Sequence, residues 1–93
     1  MAKHIKKINS PDFTQNLNAE LLGQAIKARR TQSELRIEDA AALCGVAKQT
    51  LMKIEHGNPS AELDSILQIC TGLGIKLRIV PWMNKDEVVD EWQ

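Results

Sequence analysis

The chain contains only two cysteines and two histidines in 93 residues, carries no net formal charge, and has no long apolar run. Each shortage removes a class of protein. Cys44 and Cys70 stand alone at apolar helical positions, without a CxxC pair or a histidine at ligand spacing, and read as reduced core residues rather than metal or redox groups. His4 and His56 are far apart in sequence and neither has an evident nucleophile partner, so no enzyme chemistry is expected and no cofactor is implied. Gly72-Leu73-Gly74 lacks the pattern of a phosphate-binding loop and reads as a helix stop. No stretch approaches the roughly 18 apolar residues of a membrane span, and MAKHIKKINS lacks the apolar centre of a signal peptide. No membrane partner is expected, and the expected location is the cytoplasm. A balanced net charge argues against indiscriminate binding to nucleic acid.

What remains is ordinary for a soluble domain: 43% hydrophobic and 26% charged residues. A chain of this length forms one domain and buries roughly 60–65% of its unfolded surface, so help from a partner subunit is expected. The balanced charge hides a split. Residues 1–81 hold eleven Lys and Arg against eight Asp and Glu, net +3, whereas residues 82–93 hold one Lys against four acids, net −3. A basic body with an acidic tail suits a tail that avoids polyanions and serves another partner.

The stretch GVAKQTLMKIEHG, residues 45–57, organises the chain. At helical spacing Ala47, Thr50, Leu51 and Ile54 form one stripe, and Gln49, Met52, Lys53 and His56 form the opposite one. One face packs and the other is offered. Upstream, Ile37, Ala40, Ala41 and Cys44 repeat at i, i+3, i+4, i+7 and run into Gly45, which suits the left-handed residue that ends a helix. Two short helices joined by a glycine turn make a helix-turn-helix, whose second helix lies in the DNA major groove with its N-terminal residues at base edges. Here that end carries Lys48 and Gln49.

The remaining segments fall into place around this pair. KHIKKI is a basic arm or a marginal strand, and Ser10-Pro11-Asp12 offers a cap and a proline for a single helical turn through Leu17. Asn18 caps a helix expected over 19–32, with Leu22, Ala25, Ile26 and Arg29 near one side and a basic end of Lys27, Arg29 and Arg30. The turn from Thr31 to Arg36 has neither Gly nor Pro to mark it. Arg36-Ile37 open the second helix, with Glu38 and Asp39 in its first turn. After Asn58-Pro59-Ser60, a fourth helix is expected from Ser60 or Ala61, with Leu63, Ile66, Leu67, Cys70 and Leu73 at core spacing and Gly72 and Gly74 as its stop.

At IKLRIV the period changes to two: Ile75, Leu77 and Ile79 alternate with Lys76, Arg78 and Val80 before Pro81, which predicts a strand. A strand needs a mate, either the basic N-terminal segment or the same strand of a second copy. The second is favoured because a two-fold dimer matches a symmetric DNA site. Trp82 is expected to pack on the dimer core, and Trp92, near the end of the acidic tail, is either incidental or an anchor for a partner. The expected layout is a mainly α protein of four to five helices: an arm over 1–18, a helix-turn-helix domain over 19–74, a dimerisation strand over 75–81 and a tail over 82–93.

From Leu22 to Leu77 the sequence resembles the phage-repressor and Cro-like (XRE) helix-turn-helix family. The resemblance rests on Leu22-Gly23, Ile26 and Arg30, then Ala41, Leu43 and Gly45-Val46, then Thr50-Leu51, Ile54-Glu55 and Gly57, then Leu63, Leu67 and Leu73-Gly74-Ile75. It implies a lambda-repressor-like fold with a partly buried ion pair between Arg30 and Glu55. It also implies base contacts from Lys48, Gln49, Met52 and Lys53, with Ala47 at the helix start, and phosphate contacts from Arg36, Ala47, Thr50, Asn58 and Ser60. Where the family usually has Thr-Gln, this chain has Arg36-Ile37, which weakens the phosphate clamp unless Arg36 compensates. Thr31-Gln32-Ser33-Glu34-Leu35 imitates that motif but lies five residues too early for its spacing to Gly45. The Ser-Pro arm, the strand after the fourth helix and the acidic tail ending near Trp together look like the HipB antitoxins of HipBA toxin–antitoxin pairs. That likeness implies a homodimer that represses its own operon at a palindromic operator in double-stranded DNA and restrains a HipA-like kinase toxin. A stand-alone repressor is the rival within DNA binders, and a helical interaction module is the rival outside them.

Overall fold

The computed structural model describes residues 5–82, which form four helices: α1 (Ala19–Gln32), α2 (Ile37–Cys44), α3 (Lys48–Glu55) and α4 (Leu63–Leu73). Among the described residues there is no strand and no helix long and apolar enough to cross a membrane. α1 begins as its sequence dictates, with the Asn18 side chain accepting the Leu21 N–H at 2.7 Å. α3 packs on α1, and α2 packs on α4. Between them lies a core of Leu22, Ile26, Ala40, Ala41, Cys44, Leu51, Ile54, Ile69, Cys70 and Leu73.

Two close approaches set the helix positions. A Cβ on Gly23 would lie 2.5 Å from the Ile54 carbonyl oxygen and 2.7 Å from that of Glu55, so the end of α3 crosses α1 against bare backbone. A Cβ on Gly72 would lie 2.5 Å from the Cys44 sulfur. Gly72 therefore belongs to the interior of α4, where it seats α2, and only Gly74 ends the helix. The expectation of Gly72 as part of the stop is corrected by this packing.

All four helices close in the same way. Leu35, Val46, Asn58 and Ile75 each donate their N–H to the carbonyl five residues back, at 2.8–3.1 Å. The left-handed residue this requires is Gly45, Gly57 and Gly74 in three cases and Glu34, at φ 59°, in the first. The turn between α1 and α2 carries no Gly or Pro because a glutamate occupies the left-handed position.

Three further expectations change. The segment after Ser10-Pro11-Asp12 is a turn rather than a helical one, because Asp12 Oδ1 accepts from both the N–H and the hydroxyl of Thr14, at 2.9 and 2.6 Å. Those bonds hold the exposed Asp12 carboxyl below its ordinary pKa. α4 begins at Leu63, later than expected, because Asn58 accepts the N–H groups of Ser60 and Ala61 and holds the loop in a turn. Leu63 and Leu67 are exposed while Ile69 is fully buried. α4 carries two overlapping apolar stripes, and packing on Cys44 selects Ile66, Ile69, Cys70 and Leu73.

Residues 75–80 form no strand in the single chain; Leu77 is partly exposed, and Ile79, Val80 and Trp82 are largely exposed. Among the described residues, the N-terminal segment does not pair with residues 75–80. The Ile8 N–H donates to Thr31 Oγ1 at 3.0 Å, and the Ile8 carbonyl accepts from Gln32 Nε2 at 2.7 Å, so that segment is tied to the end of α1. Trp92 and the rest of the tail beyond Trp82 lie outside the described residues.

Candidate nucleic-acid interface

α3 is amphipathic as its spacing requires. Leu51 and Ile54 are buried, Thr50 is half-buried, and Ala47, Lys48, Gln49, Met52, Lys53 and His56 are exposed. Four of these, Lys48, Gln49, Met52 and Lys53, were singled out from the sequence for base contact, and α3 brings them together on one side. The lysines supply ammonium donors suited to guanine edges or phosphates, and Gln49 supplies the donor and acceptor pair that matches adenine. The His56 ring nitrogen Nδ1 lies 2.8 Å from the Met52 carbonyl, which can only accept, so that nitrogen carries the hydrogen.

The start of α3 is open. Ala47 is its N-cap and has no side-chain hydrogen bond to offer; Arg36 at the start of α2 likewise makes no side-chain cap bond. Neither cap residue spends a side chain on its helix start, and the dipole there favours negative charge, which α2 meets with Glu38 and Asp39 in its own first turn and α3, with no acid in its first turn, does not. Of the other residues expected at phosphates, Ser60 is exposed and Asn58 half-buried; the Asn58 side-chain oxygen is already used on the Ser60 N–H, at 3.0 Å. Asn58 therefore shapes its loop whatever else it touches.

Three side chains hold this surface in place. Arg30 makes a two-pronged bond to Glu55, Nε to Oε2 at 2.6 Å and Nη2 to Oε1 at 3.0 Å, and donates from Nη1 to the Leu35 carbonyl at 2.9 Å. One guanidinium thus joins α1, the end of α3 and the turn that precedes α2. Both side chains are almost entirely buried, at 11% and 5% exposure. Gln68 on α4 donates from Nε2 to the carbonyls of Cys44 and Gly45, at 3.0 and 3.1 Å, and so holds the turn between α2 and α3 from outside. Arg29 donates to the Leu73 carbonyl at 2.8 Å and closes α4.

Sequence reasoning did not single out Gln68 or the Arg29 bond. Gln68 lies more than twenty residues from the turn it braces, and no local spacing signals such a contact. The Thr31-Gln32 string, rejected as a copy of the family motif, anchors the N-terminal segment.

Among the described residues no group of His, Cys, Asp and Glu could hold a metal ion. Burial raises the Cys44 thiol above its ordinary pKa; burial, with a smaller contribution from nearby Cys44, raises that of Cys70. Both thiols are buried and free.

Comparison with known proteins agrees with this architecture. A family profile described as a helix-turn-helix domain matches residues 21–78, well over half of the chain. Over 59 residues, 63% of this chain and 78% of the relative, the sequence is 27% identical to the uncharacterized HTH-type transcriptional regulator y4mF of Sinorhizobium fredii. The matched span opens in α1 and closes just after α4, so it contains the ion pair, the braced turn and the whole of α3. The chain belongs to the helix-turn-helix domain family.

Proposed function

We propose that this chain is a sequence-specific DNA-binding transcriptional repressor acting as a homodimer on a palindromic operator. In this reading Lys48 and Gln49 meet base edges in the major groove, and Met52 and Lys53 extend the contact by one turn. Arg36, Ala47, Thr50, Asn58 and Ser60 face the phosphates. The observation that carries the reading is the exposed Lys48, Gln49, Met52 and Lys53 face on a helix whose opposite side is locked into the core. It is supported by the family and by the regulator relative.

The dimer forms through residues 75–81, with Ile75, Leu77 and Ile79 pairing with their copies. Support comes from the exposure of Ile79 and Val80 in the single chain and from the engagement of the Ile8 backbone elsewhere, which leaves that residue unavailable as an intramolecular mate. Within this class, the chain is a HipB-like antitoxin that regulates its own operon and restrains a HipA-like kinase toxin, with Trp92 on the tail as a contact for that partner. That finer reading rests on the order of parts along the chain: Ser-Pro arm, helix-turn-helix, strand-forming segment, acidic tail.

Selection from a random duplex pool identifies the operator, and gel-shift titration with Lys48→Ala and Gln49→Ala tests the base contacts. Each substitution costs about 1–3 kcal/mol at the selected site and relaxes base preference there; unchanged preference removes the residue from the readout. Analytical ultracentrifugation of Leu77→Pro gives a monomer, and a dimeric variant refutes the strand. Purification of the tagged protein from its host recovers a HipA-like kinase in stoichiometric amount; a protein that emerges alone and binds its promoter is a stand-alone repressor.

A further inference from the structure

We propose that the N-terminal segment forms a second, sequence-independent DNA contact, with Lys6 and Lys7 docked beside the start of α2 to neutralise backbone phosphates. The inference rests on the DNA-binding reading above and adds a surface to it.

The segment is placed by bonds rather than left to diffuse. Ile8 is held through both backbone groups by Thr31 and Gln32, and Gln32 Nε2 also reaches Ser10 Oγ at 3.1 Å. Thr31 is itself fixed, donating its hydroxyl to the Lys27 carbonyl at 2.9 Å. Ile5 and Ile8 are half-buried and Lys6 and Lys7 exposed, so the apolar side chains lie toward the body and the ammonium groups toward solvent. The Lys7 ammonium lies 3.2 Å from the Glu34 carboxylate, on the turn that leads into Arg36. Glu34 and Arg36 are two residues apart, a Cα separation of at most about 7.6 Å. The two lysines therefore bring positive charge beside Arg36 at the start of α2, whose first turn also carries Glu38 and Asp39. With Arg36 they balance Glu34, Glu38 and Asp39, acids that would otherwise leave a net negative charge next to the phosphates. Because the segment is already ordered, DNA gains its charges without the entropy of fixing a free tail.

The partner is the nucleic-acid backbone, and the consequence is a salt dependence. Each phosphate neutralised adds roughly 0.9 to the slope of log affinity against log salt. Binding of full-length protein to the selected operator duplex is measured across salt concentrations for wild type, Lys6→Gln/Lys7→Gln and Gln32→Ala. The double variant lowers the slope by roughly 2 per protomer and leaves the ranking of operator base variants unchanged. Gln32→Ala keeps every charge but removes the bonds to the Ile8 carbonyl and Ser10, leaving only the Thr31 bond to the Ile8 N–H, and weakens binding several-fold at low salt. A wild-type slope in the double variant overturns the contact, and wild-type affinity in Gln32→Ala overturns the anchoring on which it depends. A wild-type protein that selects no duplex overturns the DNA-binding reading itself, and this inference with it.

Discussion

Arg30 and Glu55 meet side by side beneath α3, with two bonds at 2.6 and 3.0 Å and almost no solvent on either side chain. A carboxylate at the last turn of a helix opposes the helix dipole, and here the guanidinium offsets both that repulsion and the cost of burial. Removing either partner alone leaves a buried charge. Arg30→Ala is expected to cost about 3–5 kcal/mol, a large part of the stability of a small domain, while Arg30→Met/Glu55→Leu recovers most of it. Urea denaturation midpoints of the single and double variants check this; equal midpoints for Arg30→Ala and wild type would show that the pair has no structural role.

Gln68 braces a turn it does not belong to. Its amide orientation is fixed by chemistry, since the Cys44 and Gly45 carbonyls can only accept. Gln68→Ala should lose about 0.5–1.5 kcal/mol of stability and, because the turn sets the pitch of α3, several-fold in operator affinity. Gln68→Glu should be worse on both counts, because a carboxylate cannot donate to two carbonyls. Thermal melts and gel shifts run together separate the two effects, and affinity that merely tracks the unfolded fraction would refute the bracing of α3.

The start of α3 trades stability for access. Ala47 has the extended backbone of an N-cap, φ −68° and ψ 147°, without a capping side chain. Ala47→Asp is expected to stabilise the fold by about 0.5–2 kcal/mol, supplying an acceptor for the first-turn N–H groups. The same carboxylate occupies the donors offered to DNA and repels phosphate, so operator affinity should fall by more than tenfold. A variant that melts higher and binds as well as wild type would show that this end of α3 is not at the DNA.

The buried thiols give a pH dependence. Burial raises both Cys44 and Cys70, so in the alkaline range the unfolded chain releases protons before the folded one does. Their contribution to stability is then fully present at neutral pH and is lost as pH rises from the ordinary thiol range, about 8.5, toward the raised folded values. Denaturant midpoints measured from pH 7 to 10 should fall across that window, less so in Cys44→Ala/Cys70→Ala relative to its own neutral value. Iodoacetamide should label wild type at neutral pH only as fast as the protein opens. Rapid labelling without denaturant would contradict the burial.

The sequence by itself determined the parts whose signals are local. The Asn18 cap, the helical repeat that ends at Gly45, and the two opposed stripes of α3 each need only a few neighbouring residues, and the helices from α1 through α3 follow from them. It also placed Arg30 and Glu55 at the positions of a pair, although by resemblance rather than by period. The tertiary structure decided what local periodicity leaves degenerate. α4 presents two apolar stripes of similar merit, and contact of Gly72 with Cys44 chose the one containing Ile69 and left Leu63 and Leu67 outside. The first turn was hidden because Glu34 takes a left-handed conformation that glycine would have announced. The strand of residues 75–80 is absent from the single chain for a different reason. A ladder requires a second set of donors and acceptors, which no residue pattern within one strand can supply. Ile8, the nearest candidate by sequence logic, had been claimed by Thr31 and Gln32 across the fold.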